Sequence, residues 1–113
     1  MYIAKIYIYC MKRTYLPEEV TGFDWDEHNI LKNWNKHKVA YWECEEAFFN
    51  KPLIVKFDGN HSEEEIRYYV LGRTDAMRKL FISFTMRDTL VRPISFRDMT
   101  KKERSIYEYC KKK

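Results

Sequence analysis

From residue 53 to residue 97 the apolar side chains recur at every second position, and this alternation constrains the fold more than any other feature of the chain. Residues 53–58 read as a first strand. Gly59, Asn60 and the acidic run 62–65 form a polar turn. The run 66–73 then sets Ile66, Tyr68 and Val70 on one face and Arg67, Tyr69, Leu71 and Arg73 on the other. After a short loop at 74–78, residues 80–87 alternate again, with Leu80, Ile82, Phe84 and Met86 opposed to Phe81, Ser83, Thr85 and Arg87. Asp88 and Thr89 turn the chain into a last run, 90–97. There Pro93 predicts an edge position or a bulge, because proline cannot donate to a ladder. Strands joined by turns this short pair antiparallel, as a meander.

Ahead of the meander the period changes. In FDWDEHNILKNWNKHKV, residues 23–39, Asp24 is placed to cap a helix and Glu27 to complete a capping box. Ile30, Leu31 and Trp34 make an apolar stripe, and Lys36, His37 and Lys38 crowd the last turn, where positive charge suits the helix dipole. A second helix is expected over 41–50, burying Tyr41, Cys44, Ala47 and Phe48 and stopping before Pro52. Its cap position, Ala40, has no side-chain acceptor. Thr100 and Glu103 form a capping box for a last helix, docked by Ile106, Tyr107 and Cys110. Residues 2–10 alternate as a further strand, and 12–22 read as a connector. The expectation is an α+β domain spanning 1–113: two N-terminal helices on one face of an antiparallel meander, a C-terminal helix and an extra N-terminal strand. Such a sheet leaves its second face for a ligand.

A chain of 113 residues with 45% hydrophobic and 17% aromatic content can bury one core. The net charge of +4 is a small excess of 21 basic over 17 acidic residues, so distribution matters more than sum. Bases crowd 67–104 and 111–113; acids crowd 18–46 and 63–65. Cys10, Cys44 and Cys110 lack metal-ligand spacing, and an odd count argues against a secreted disulfide framework, so they read as reduced and buried in a cytoplasmic protein. No signal peptide is recognisable and no apolar run is long enough to cross a membrane.

Arg67, Arg73, Arg87, Arg92 and Arg97 all fall on the meander or its ends. A guanidinium is costly to bury unpaired, so each faces water, a carboxylate or an anion. Arg67, Arg87 and Arg97 can share one face with Ser83, Thr85 and Ser95, a set suited to phosphate. The competing arrangement pairs the arginines with Glu43, Glu46, Glu63, Glu64 and Glu65. Motifs for nucleotide loops, zinc proteases and serine nucleophiles are missing. That leaves phosphate chemistry without a cofactor. RNA supplies its own nucleophile, the 2′-hydroxyl, and asks of the protein only proton transfer and charge stabilisation. Tyr68, Tyr69 and Phe81 suit either base stacking or the core.

The runs FDWDEHNILKNWNKHKV, EEAFFNKPL, HSEEEIRYYVLGRT, LFISFTMRD and RPISFRDMTKKERSIYE together resemble the BrnT toxins, in the family's order, over a core of 23–109. The resemblance implies a RelE-like, microbial-ribonuclease-like fold. It also implies RNA cleavage that inhibits translation, and neutralisation by a DNA-binding, BrnA-like antitoxin. On the matching positions it implies catalytic roles for Lys36, His37, Glu43, Arg67 and Arg87: phosphate stabilisation by the two arginines, and binding or proton transfer by Lys36 and His37. RNA-binding roles fall to Arg73, Arg92, Arg97 and Lys101. The family's glycine after its lysine–histidine pair is Lys38 here, an awkward residue for a left-handed helix end. Two other readings stand beside this one. One is a non-catalytic RNA-binding or protein-interaction module, and the other uses the N-terminal strand as a homodimer or partner-docking edge.

Overall fold

The computed structural model describes residues 20–59 and 65–111. The elements, in chain order, are β1 (Gly22–Phe23), α1 (Glu27–His37), α2 (Tyr41–Phe49), β2 (Ile54–Phe57), β3 (Arg67–Arg73), β4 (Lys79–Arg87), β5 (Leu90–Asp98) and α3 (Lys101–Lys111). The alternating runs form the expected antiparallel meander, in the sheet order β1-β5-β4-β3-β2. Tyr68 lies opposite Phe84 and Val70 opposite Ile82, so the two apolar faces coincide. Ser83 lies opposite Ser95 but Phe84 opposite Pro93, which leaves Ile94 as the extra residue of a bulge. Pro93 therefore sits where its missing N–H costs the ladder least.

The described N-terminal strand is β1, which runs parallel to β5 with Gly22 opposite Leu90 and Phe23 opposite Val91. It ends the stretch read as connector. The strand expected at 2–10 and the turn at 60–64 lie outside the described residues.

The start of α1 differs from expectation by two residues. Asp26, not Asp24, is the N-cap: its Oδ1 accepts from the N–H groups of His28 at 2.8 Å and Asn29 at 3.3 Å. Asp24 is still held by the sheet, its N–H donating to the Val91 carbonyl at 2.8 Å. The buried face also differs. Leu31 and Trp34 point outward, 55% and 47% exposed, whereas Asn33 is 1% exposed. The reason lies in β5, whose outer edge carries backbone groups that β1 is too short to pair. Asn33 donates to the Ile94 carbonyl at 3.0 Å and accepts from the Phe96 N–H at 3.1 Å. Asn29 adds a 3.4 Å bond to the Pro93 carbonyl. The helix thus continues the sheet edge with amide side chains.

In α2, Glu43 accepts the Ala40 N–H at 2.9 Å, half of a capping box whose other half alanine cannot supply. Cys44, Ala47 and Phe48 are buried as expected, with Val39, Leu53, Val55, Tyr68, Val70, Leu80, Ile82, Phe84, Val91 and Phe96 in the main core. Tyr41 is instead exposed, its ring edge-on to Trp25 at 5.5 Å. Gly72 is required by this packing: a Cβ there would lie 3.0 Å from the Ala47 carbonyl oxygen.

The capping box of α3 forms as expected, Thr100 N–H to Glu103 at 2.8 Å and Glu103 N–H to Thr100 at 3.2 Å. Tyr107 and Cys110 dock on Ile54, Leu71 and Met99, while Ile106 stays exposed. Tyr107 donates to the Pro52 carbonyl at 2.7 Å. Ile54 and Leu71 are cross-strand partners on the face opposite the main core, so α3 occupies one end of the face expected to be free. Cys44 is buried and free, and burial pushes its thiol well up. Cys110 is disulfide-bonded, so the reduced state expected of all three cysteines does not hold there.

Candidate active site

The last turn of a helix presents carbonyl oxygens with no intrahelical donor and the negative end of the dipole. At the end of α1 these acceptors meet one arginine. Arg78, which precedes β4, donates through Nη1 to the Lys38 carbonyl at 2.8 Å and through Nη2 to the His37 carbonyl at 3.2 Å. Its Nε donates to Asp98 at 2.7 Å, and Nη1 reaches Glu43 at 3.2 Å. One planar fork therefore ties α1, the first turn of α2 and the end of β5 together. The hydrogen bond and ion pair from Arg78 outweigh burial and hold the Asp98 carboxyl below its usual range; the same pairing raises Arg78 itself. Lys38 takes the left-handed conformation at φ 56°, its N–H donating to the Trp34 carbonyl at 2.9 Å, which realises the strained helix end expected of a lysine there.

His37 is half-buried at this junction. Burial lowers its pKa first, then the charges of Lys36, Arg97 and Lys32, against a smaller opposing pull from Asp98. The imidazole therefore holds a proton less readily than an ordinary histidine does, and a neutral imidazole can act as a proton acceptor. The structure gathers Lys36, His37 and Glu43 of the expected site here, and places Arg97 within electrostatic reach of His37.

Arg67 and Arg87 are elsewhere. The register does put Arg67, Thr85, Arg87, Ser83, Ser95 and Arg97 on one face of the sheet. Arg67, however, pairs with Thr85, whereas Asp98 pairs with Leu80. The stretch of β4 between Leu80 and Thr85 spans roughly 17 Å at ~3.3 Å per residue. One phosphate cannot touch both ends, so the five residues expected to act together divide into two groups. Arg87 is half-exposed and meets Glu65 at 3.5 Å, the loosest of the arginine–carboxylate contacts described. Thr85 is buried and donates to the Ile66 carbonyl at 2.7 Å.

Of the expected RNA-binding residues, Arg92 is engaged by Asp24 at 2.9 Å and Asp26 at 2.6 Å, which positions the start of α1. Arg97 makes two bonds to Glu103, at 2.8 and 3.0 Å, and lies 4.1 Å over the Phe81 ring. Burial raises Glu103, but this guanidinium and the Thr100 cap outweigh it and lower the carboxyl. Arg73 donates to the Lys51 carbonyl at 2.9 Å. Lys101 is exposed at the start of α3. Tyr69 stacks on Phe81 at 5.0 Å and Tyr68 on Phe84 at 5.5 Å, so all three aromatic candidates for base stacking make packing contacts within the sheet. Sequence reasoning missed Arg78, Asp98 and Asn33. For Asn33 a signal existed: Asn29, Asn33 and His37 recur every fourth residue, a polar stripe a solvated face does not need. Arg78 carries no such signal, since only the fold brings it to α1. Among the described residues no three His, Cys, Asp or Glu side chains are grouped to hold a metal ion.

Two helices ahead of an antiparallel meander, closed by a third helix, define a small α+β class of protein with a basic junction at the end of its first helix. The chain belongs to the BrnT family: the model for the ribonuclease toxin, BrnT, of type II toxin–antitoxin systems matches residues 25–103. Among solved structures, the Brucella abortus ribonuclease toxin BrnT superposes with a TM-score of 0.52 at 17% identity, over 71% of this chain and 97% of that one. At that identity the likeness speaks for the fold. No curated protein shows significant similarity.

Proposed function

We propose that this protein is an endoribonuclease toxin that cleaves RNA without a metal ion, with its chemistry at the α1–α2–β5 junction. Neutral His37 takes the proton of a 2′-hydroxyl, whose oxygen attacks the adjacent phosphorus. Lys36 and Arg97 offset the charge of the phosphorane. The P–O5′ bond breaks, and the leaving oxygen collects a proton from the imidazolium, leaving a 2′,3′-cyclic phosphate and a 5′-hydroxyl. Arg78 and Glu43 position the helix end rather than touch the substrate. Arg67 and Arg87, at the far end of the sheet, bind phosphates further along the strand, with Arg73 and Lys101 as further cations. The observation that carries this reading is the junction at the end of α1, where the Arg78 fork fixes the helix end beside half-buried His37, whose pKa is lowered by burial and then by the neighbouring cations.

In the cell this activity inhibits translation in the cytoplasm, and a DNA-binding, BrnA-like antitoxin neutralises it. A second reading, a non-catalytic RNA-binding or interaction module, is favoured by the carboxylates that engage Arg78, Arg92 and Arg97. The test is tightly controlled expression with growth and RNA integrity as readouts, and purified protein with single-stranded RNA in excess chelator. Growth arrest and cyclic-phosphate ends in chelator support the proposal. Folded protein that neither arrests growth nor cuts RNA rejects it in favour of the second reading.

A further inference from the structure

We propose that Trp34 and Lys38 form a nucleotide-docking pair on the outer face of α1, where an unpaired base of single-stranded RNA stacks on the indole and its phosphate meets the ammonium group. The proposal rests on the ribonuclease reading and names how substrate reaches that site.

Two features of α1 that the fold does not need are in contact with each other. The helix docks through Asn29 and Asn33, which leaves Trp34 outward and 47% exposed, without a role in either core. Lys38 holds a left-handed conformation that favours glycine, at φ 56°, and Arg78 fixes it there through the Lys38 carbonyl. From that position the Lys38 ammonium lies 5.5 Å from the Trp34 ring centroid. Among the described residues no carboxylate pairs with Lys32, Lys36 or Lys38. A half-exposed indole with an unneutralised cation over its ring brings together groups that match the two parts of one nucleotide, its base and its phosphate. Trp34 is one helical turn before His37, so a strand held there continues into the catalytic junction. The cationic surrounding that also depresses His37 favours a polyanion over an apolar protein segment on this strip.

The experiment measures anisotropy of a labelled single-stranded oligonucleotide whose 2′-O-methyl groups block cleavage, while cleavage of the unmodified strand is scored separately. Trp34→Ala weakens binding about tenfold and Trp34→Phe recovers most of it. Lys38→Gly, which suits the left-handed backbone, lowers the slope of log affinity against log salt by about 0.7. Trp42→Ala, an exposed tryptophan on α2, binds as wild type. Circular dichroism melts establish that each variant is folded. Wild-type affinity in Trp34→Ala, or an equal loss in Trp42→Ala, overturns the docking pair even if the wild type cuts RNA. So does a wild type that does not bind the oligonucleotide. Trp34-dependent binding by a protein that cannot cut RNA upholds the pair and removes the ribonuclease reading.

Discussion

Asn33 shows how much one buried amide contributes. It is 1% exposed and satisfies a carbonyl and an N–H of β5 that no strand pairs. Asn33→Ala leaves both without a partner, at ~1–3 kcal/mol for each buried group. The expected loss is therefore about 2–6 kcal/mol, measured by urea denaturation, and Asn33→Asp does not restore it because a carboxylate cannot donate to Ile94. Lys38 acts in the opposite direction. A left-handed lysine costs about 1–2 kcal/mol, and glycine's extra chain entropy takes back part of the relief. Lys38→Gly is expected to raise stability by up to about 1 kcal/mol in the same assay. The conflict at Lys38 is legible only through the family resemblance, which sets a glycine where this lysine stands. The two bonds made by Asn33 are legible only in part, since the recurrence of Asn29, Asn33 and His37 marks a polar stripe but not the strand it will meet.

At the scale of elements, the meander was almost fully legible. Its period of two and the polar turns set four strands and their faces, and of the edge position or bulge that Pro93 predicted, the bulge formed. The capping box at Thr100 and Glu103 marked the start of α3 to the residue. The facing of α1 was not legible, because its apolar stripe argued for a core contact while the sheet edge demanded hydrogen bonds. Polar satisfaction won, since an unpaired backbone group costs more than an exposed leucine. The α2–β3 contact depends on Gly72, whose missing Cβ lets the Ala47 carbonyl approach. Gly72→Ala is expected to cost about 1–3 kcal/mol through overpacking, seen as a lowered urea midpoint with an unchanged m-value.

For the molecule as a whole, the candidate site was legible as a set of residue types but not as a place. Lys36, His37 and Glu43 assemble at one end of the sheet, Arg67 and Arg87 stand at the other, and Arg78, which organises the first group, carries no mark of that role in the sequence. Alternation reports which face a side chain takes, not how far along the sheet its partners lie. The same junction sets a pH dependence. The His37 pKa is lowered on folding, so its contribution is complete above the ordinary histidine value of about 6.5 and is lost as pH falls. Asp98 is lowered too, and its contribution persists to more acid pH before protonation removes it. Stability is thus expected to be flat near neutral pH and to decline in two stages, the first absent from His37→Gln when urea midpoints are followed against pH.

The central claim is that the reaction takes place at the end of α1, with the distant arginines binding substrate. Single-turnover cleavage of one single-stranded RNA by wild type, His37→Gln and the Arg67→Ala/Arg87→Ala double variant tests it most directly. The account predicts that His37→Gln lowers the saturated rate by at least about a hundredfold, while the double variant weakens apparent substrate binding and leaves the saturated rate nearly unchanged. The reverse pattern, a saturated rate lost with the arginines and kept without the imidazole, would contradict it.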